Sequence, residues 1–331
     1  MIPLGQITGE LRDVREWTMV GQTAPTISNT KAMTGTYSIR MIGSTQAMVG
    51  LTFSEQNNIR CGVWLNHNGV SSYVTAAPVV TLRTLSAIVA QFVWNGTNGN
   101  VELLINGNIV DSKSAPTAGI TATDQWMHIG MIFLANNVCS VYLNGLKILS
   151  YLAPNITISE AYCGGVRWNQ YAYFDDFYVD GDISIDEAPP PDRFLFSLAS
   201  GAGGSADWSP VGAANNYECV NDAVPNNDTD YVIANAADLV DLYATANVTL
   251  PTDYKVTSVL PIALARAMAA GPTLRLAASD GSNTTICSER TIGTSYAYVW
   301  ESLNLAPDGG EWTEAKINAA QFGFKSAGSY S

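Results

Sequence analysis

Acidic and amide side chains hold most of the chemical potential of this sequence. Asp180, Asp182 and Asp186 stand in the run Asp180-Gly181-Asp182-Ile183-Ser184-Ile185-Asp186-Glu187. Spaced carboxylates can offer oxygen ligands to Ca²⁺, a hard cation that prefers about six to eight of them. The glycine does not stand where an EF-hand loop needs its sharp turn. The competing reading is turn chemistry, in which Asx side chains bond their own backbone. Asn221-Asp222 with Asn226, Asn227, Asp228 and Asp230 forms a second oxygen-rich loop open to the same two readings. Ca²⁺ is the one candidate cofactor; otherwise none is expected.

Sugar sites pair aromatic rings, which stack on apolar sugar faces, with amides and carboxylates for the hydroxyls. Two stretches offer that mixture: Trp94, Asn95 and Asn98 in WNGTNGN, and Arg167, Trp168, Asn169, Tyr171 and Tyr173 in RWNQYAY. Trp64 near His67 and Tyr73 is a third. The competing reading makes each a core plug or a subunit contact.

Nothing assembles a catalytic centre. Of the two histidines, His128 lies in an apolar strand and reads as packing. His67 lies in Asn66-His67-Asn68-Gly69 and reads as an exposed turn. No G-x-S-x-G elbow supports a nucleophile. The chain is therefore expected not to be an enzyme. Asp175-Asp176 are neighbours in a strand pattern, so one should face inward and the other outward. The five cysteines are odd in number and lack metal-ligand spacing, which favours buried free thiols.

These residues need elements to hold them. A chain of 331 residues exceeds the usual single core, so two domains are expected. Charged residues make up 14% and the net charge is −13, with no basic cluster, which excludes nucleic-acid binding. No apolar run has the roughly 20 residues a membrane helix needs, so membrane insertion is not expected. The N-terminus lacks the pattern of a secretory signal.

Ala188-Pro189-Pro190-Pro191 marks a boundary, because prolines cannot donate to a ladder and favour an extended, semi-rigid spacer. The expected division is 1–187, a linker at 188–191, and 192–331. Asn106-Gly107 and Asn144-Gly145 each separate two apolar runs, which predicts type I′ hairpins. In Asp124–Phe133 both alternating faces are apolar, which predicts a central strand covered on two sides. Residues 1–30 read as a docking arm or a plain first strand. In the second half, strands are expected at 193–198, 231–233, 238–243, 255–270, 273–278, 296–303 and 321–325, with a loop to Ser205. Thr313–Ala320 predicts one short helix capped by Thr313. The expected fold class is all-β, two antiparallel sandwich or jelly-roll domains joined by the Pro-rich linker, with one short helix near the C-terminus.

The strand DQWMHIGMIF (Asp124–Phe133), the hairpin CSVYLNGLKILS (Cys139–Ser150) and the closing strand YFDDFYV (Tyr173–Val179) follow one another in an order that resembles the concanavalin A-like, or laminin-G-like, jelly-roll superfamily. The resemblance covers most of residues 30–180. Glucanases of that superfamily carry an E-x-D-x-x-E run, which is missing here. The second half is similar to a module of tailed-bacteriophage virion proteins. ADWSPVGAANNYECVNDAVPNNDTDYV (Ala206–Val232) and EWTEAKINAAQFGFK (Glu311–Lys325) carry that likeness. It implies a tail- or fibre-associated structural protein on the virion surface, assembled in the host cytoplasm. The implied partners are other virion subunits, further copies of this chain and a host-surface glycan or protein. A capsid-decoration or tail-assembly protein without a receptor role is the first alternative, and a diverged glycan-active enzyme the second.

Overall fold

The computed structural model describes residues 2–7, 18–21, 26–33, 38–43, 47–67, 76–115, 125–164, 168–181, 183–223 and 225–330. Arg167, Asp182, Tyr73 and the Asn68-Gly69 turn lie outside them. The chain divides into two compact units, Met1–Phe194 and Leu195–Ser331. Strands dominate both, and one short helix lies near the C-terminus.

The first unit contains β1 (Ile2–Ile7), β2 (Thr18–Gly21), β3 (Thr26–Ser28), β4 (Ser38–Gly43), β5 (Ala47–Gln56), β6 (Asn58–His67), β7 (Ala76–Arg83) and β8 (Ile88–Asn95). It continues with β9 (Asn100–Ile105), β10 (Asn108–Ser114), β11 (Met127–Leu134), β12 (Val138–Leu143), β13 (Leu146–Tyr151), β14 (Ile158–Gly164) and β15 (Trp168–Gly181). An eight-stranded sheet runs β13-β12-β11-β6-β15-β4-β3, with β1 also on β15; a seven-stranded sheet runs β10-β9-β8-β7-β14-β5-β2. Every pairing is antiparallel, and non-sequential neighbours give a jelly-roll-like sandwich. The first residues are strands within these sheets. One apolar core lies between the layers, from Ile39 and Val49 to Phe174, Phe177 and Val179.

Both Asn-Gly hairpins form. Asn106 and Gly107 have φ of 50° and 78°, and Asn144 and Gly145 have 47° and 82°, as a type I′ turn requires. Every residue of β11 is buried. Met127, Ile129, Met131 and Phe133 face the inter-sheet core.

The other face of β11 is covered by the segment expected to be a spacer. Ile183 and Ala188 pack with Ile132, Leu134 and Tyr142. Pro189 lies over Gly130, where an added Cβ would fall 2.7 Å from its Cγ. Tyr178 Oη donates to Pro190 O at 2.6 Å, and Trp64 Nε1 to Asp192 O at 3.1 Å. Residues 183–194 are thus a strap on the first unit. The strand expected at 193–198 does not form, because these residues join no ladder.

The strap carries Asp192, whose carboxyl burial raises to about 6, aided by Asp180 and opposed by Arg60. A carboxyl raised in the folded state favours folding when protonated, and that contribution fades as pH climbs from about 4 through 6. Asp192→Asn should therefore stabilise the first unit at pH 7.5, by at most about 3 kcal/mol at 1.36 kcal/mol per pH unit, and leave it unchanged at pH 4. Denaturant titrations at the two pH values test this; an equal shift at both would sink it. His128 runs the other way. Burial lowers it to about 4, so its contribution is lost as pH falls from 6.5 to 4. In Asp192→Asn that acid sensitivity should emerge unmasked.

The second unit contains β16 (Ala199–Ala206), β17 (Ser209–Val211), β18 (Tyr231–Ile233), β19 (Val240–Thr245), β20 (Ile262–Ala265), β21 (Pro272–Ser279), β22 (Thr284–Ile286), β23 (Arg290–Thr291), β24 (Ala297–Trp300), α1 (Glu314–Ala319) and β25 (Gln321–Gly328). The main sheet runs β16-β19-β25-β21-β22, with β23 on β21; β17–β18 and β20–β24 are two-stranded ribbons. Ala263, Ala265 and Val299 of the second ribbon join the core with Leu274, Leu276, Trp312 and Phe322. The Gly/Ala stretch before Ala206 is an edge strand instead of a loop, because small residues let it lie close to β19. The long strand expected at 255–270 shrinks to β20, as Pro261 interrupts it. Thr313 caps α1, accepting from Lys316 N at 3.2 Å, and Ala320 is buried.

Candidate functional site

The outer face of the seven-stranded sheet collects charged and polar side chains from strands far apart in sequence. Residues directly opposite in an antiparallel ladder share a face. Tyr162 pairs with Gly50 and Thr81, and Thr81 with Gln91. Glu160 pairs with Arg83. Glu102 pairs with Val93 one row beyond Gln91. The alternate residues Leu82, Ala90, Leu103 and Ala161 point into the core.

Gly50 is required here, because the Tyr162 ring lies across it: a Cβ would come within 2.5 Å of Tyr162 Cδ1. The Arg83 guanidinium sits 5.7 Å above that ring, and its Nη1 is 3.4 Å from Glu160 Oε2. Arg83 Nε and Glu160 Oε2 are both buried, and neither makes a hydrogen bond. Burial and Glu160 raise the Tyr162 phenol, and Arg83 opposes them. Gln91 Nε2 donates to Thr81 Oγ1 at 3.1 Å. Glu102 Oε1 accepts from Asn95 Nδ2 at 3.0 Å and Asn98 Nδ2 at 2.9 Å. From the Arg83 row to the Glu102 row is about four residues of strand, roughly 13 Å. A donor and an acceptor of one ion pair, each without a hydrogen bond, suit a group that both accepts and donates. A hydroxyl does both.

Asn95 and Asn98 belong to this face. Their carbonyl oxygens also take the backbone N–H groups of Thr97 and Asn100, so they shape the turn as well. Trp94 does not belong to it. Its side chain is fully buried in the core and meets His67 edge-on at 4.6 Å. The neighbour of an outward Asn95 must point inward, so Trp94 is a core residue and no stacking platform. His67 is fully buried at the end of β6, contrary to the exposed turn expected. His128 is packing, as expected.

Trp168, Asn169 and Tyr171 lie on β15, the long closing strand, while Arg167 lies outside the described residues. Tyr173 is buried, with Lys31 Nζ 5.5 Å over its ring, so it presents no open face to a ligand. Asp175 and Asp176 are both fully buried, instead of one in and one out. The strand bulges between Asp175 and Tyr178, and Asp176 takes the left-handed φ of 47°. Asp175 accepts from the N–H groups of Met33 and Asp176.

Of the three aspartates read as a Ca²⁺ loop, Asp180 and Asp186 lie within the described residues. Asp180 pairs with Arg60 at 2.9 Å. Asp186 is held by Lys147, by Ser140 Oγ at 3.0 Å and by Tyr142 Oη at 2.9 Å. Asp180 and Asp186 thus each have a cationic partner of their own; Asp182 lies outside the described residues. Among the described residues no group of three metal-ligating side chains occurs. In the Asn221–Asp230 loop, Asn226 donates to Asp230, and Asp228 accepts from Arg266 and Tyr296, which is turn and ion-pair chemistry.

The sequence matches no protein-family profile and no curated protein. Solved structures do match, each over about half the chain. They include the T. cruzi calreticulin globular domain, at 10% identity and TM-score 0.41, over 55% of this chain and 89% of that one. A Bacillus subtilis protein of unknown function with a galectin-like fold matches at 13% and 0.40, over 54% and 96%. Domain 4 of an extracellular arabinanase from Geobacillus stearothermophilus, in complex with arabinotriose, matches at 14% and 0.39, over 54% and 91%. At these values the likenesses carry no argument about ligand or activity.

In the second unit, Trp208 and Asn216 form a structural clasp with Asp241 and Tyr243. Trp208 Nε1 donates to Leu239 O at 3.1 Å. Asn216 Nδ2 donates to Trp208 O and to Asp241 Oδ2, at 2.8 and 2.7 Å. Tyr243 Oη reaches the same Asp241 oxygen at 2.5 Å. A cavity of about 150 Å³ beside this clasp is lined by Ala202, Ala206, Asn216, Tyr217, Leu242 and Tyr243. The Asn216 amide and the Tyr243 hydroxyl are already bonded within the clasp. All five cysteines are free and buried, and burial raises their thiols, Cys61 to about 12. No helix among the described residues is long and apolar enough to cross a membrane.

Proposed function

We propose that the first unit is a non-catalytic recognition module that binds a hydroxyl-rich ligand, a glycan, on the outer face of its seven-stranded sheet. The observation that carries this reading is the pair Arg83 Nε and Glu160 Oε2, buried without hydrogen bonds beside one another on a face rimmed by Gln91, Asn95 and Asn98. A buried polar atom without a hydrogen bond costs about 1–3 kcal/mol. Both atoms are shielded from solvent, so the partly exposed Arg83 side chain swings aside for a ligand hydroxyl to bridge the two and recover that cost. The wider context is a tail- or fibre-associated component of a bacteriophage particle, displayed in several copies so that weak contacts add. That context rests on the sequence resemblance of Ala206–Val232 and Glu311–Lys325.

A glycan array probed with the full chain tests the ligand class. Saturable binding to a subset of oligosaccharides is expected. Glu160→Gln should weaken it about tenfold or more, since a hydrogen bond to a charged group contributes about 1.5–3 kcal/mol. The fold should survive, because Gln keeps the shape. An array without signal, or binding indifferent to Glu160→Gln, would overturn the reading. Hydrolysis of a bound oligosaccharide would overturn its non-catalytic part. Particles that fall apart without this chain would favour the assembly role over attachment.

A further inference from the structure

The outer face of the eight-stranded sheet is built to hold an extended proline segment. Across it runs the row Tyr142, Gly130, Gly62, Tyr178, set by the registers of β12, β11, β6 and β15. Two facing glycines between two tyrosines make a trough. Neither tolerates a side chain: a Cβ on Gly62 would meet Tyr178 Cε1 at 2.5 Å and His128 Nε2 at 2.7 Å, and one on Gly130 would meet Pro189. Trp64 lies beside the trough, 5.2 Å from the His128 ring.

Three aromatic side chains donate to three backbone carbonyls of the strap. Tyr142 Oη reaches Asp186 O at 2.9 Å, Tyr178 Oη reaches Pro190 O at 2.6 Å, and Trp64 Nε1 reaches Asp192 O at 3.1 Å. Consecutive prolines fix φ and hold each preceding residue extended, so the segment forms no internal hydrogen bonds and offers its carbonyls to outside donors. An aromatic-lined groove with hydroxyl and indole donors is the general solution for reading such a segment. From Asp186 to Asp192 the segment reaches about 19 Å at ~3.1 Å per residue, the width of roughly four strands. The ends are specified by charge. Lys147 and Ser140 hold the Asp186 carboxylate at one end. At the other, Arg193 lies 5.5 Å over the Trp64 ring, and Phe194 meets Tyr178 edge-on at 6.3 Å.

We propose that this face is a peptide-binding groove for the segment Asp186–Phe194, filled here in cis and fillable by the same segment of a second copy, so that copies can be joined by exchange. The paired ends single out this chain's own sequence over a generic proline-rich ligand, because Lys147 and Ser140 need an acid three residues before the first proline. The proposal is independent of the glycan face, which lies on the other sheet.

The test uses the full chain with Pro189, Pro190 and Pro191 changed to Ser, which weakens the cis strap, and a synthetic peptide spanning Ile183–Phe194. Calorimetric titration should show saturable one-to-one binding to this variant, at least tenfold tighter than to the unaltered chain, whose groove is filled. Adding Trp64→Phe, which removes one donor and keeps the ring, should weaken it about fivefold, the loss of one ordinary hydrogen bond. Adding Gly130→Val should abolish it. Absence of binding to a triple variant that retains its circular dichroism would overturn the proposal, as would equal binding to the Gly130→Val form. If the triple variant does not fold, the peptide with a photo-crosslinker in place of Pro189 is applied to the unaltered chain. Crosslinks to β6 and β11 are then expected, and their absence under illumination overturns the proposal.

Discussion

Trp94→Ala should lower the stability of the first unit by about 3–5 kcal/mol, the range for removing a large aromatic ring from a packed core. The ring is fully buried, on a strand whose Ala90 and Phe92 face the same core, and it packs edge-on to His67. The cavity left behind cannot collapse easily, because Ala77 and Val101, directly opposite on the flanking strands, are fixed in ladders of their own. The urea midpoint should therefore fall with little change in slope. Unchanged stability together with lost glycan binding would return Trp94 to the ligand face and overturn this assignment.

Gly323→Ala should be the most damaging small change in the second unit. Gly323 lies on β25, which is paired on both sides, to Leu242 of β19 and to Ala277 of β21. An added methyl would land on the backbone oxygen of Asp241 and 3.0 Å from Leu242 Cα. Backbone cannot swing aside as a side chain can, so one ladder must open. A loss of about 3 kcal/mol, the upper end for overpacking, is expected, seen as an early second transition in thermal unfolding. Gly201→Ala is the control. Its nearest neighbour would be Ala244 Cβ at 3.9 Å, and removing a glycine from a strand should be neutral or slightly stabilising. Equal effects at the two positions would show that the close approach at Gly323 is not what matters.

Local chemistry was readable from sequence where one short stretch decides the outcome. Asn-Gly pairs announced both hairpins, and Thr313 announced α1 through its cap. The two apolar faces of β11 announced that something covers each. What covers the second face was not readable, because prolines signal an extended chain and say nothing about where it lies. The polar face escaped for a related reason. Arg83 and Glu160 meet only through the register of β7 with β14, which no local pattern encodes. A trace existed nonetheless: Thr81, Arg83, Gln91, Glu102 and Glu160 are polar residues at alternate places in otherwise apolar strands. The same alternation, applied to IVAQFVWN, would have turned Trp94 inward beside Phe92. The double burial of Asp175 and Asp176 depends on a bulge, which breaks the alternation itself.

The strap also fixes how the first unit carries mechanical load. Tension on the chain at Leu195 loads the side-chain bonds of Trp64 and Tyr178 to the strap, one after another, before it loads any strand-to-strand ladder. Peeling of that kind yields in small steps at low force, whereas a ladder pulled along its length resists as a whole. Released from Asp186 to Phe194, the segment becomes a free tether with a contour of roughly 30 Å. A pulling experiment should record that early yielding as a compliant stage, with the sandwich behind it still intact.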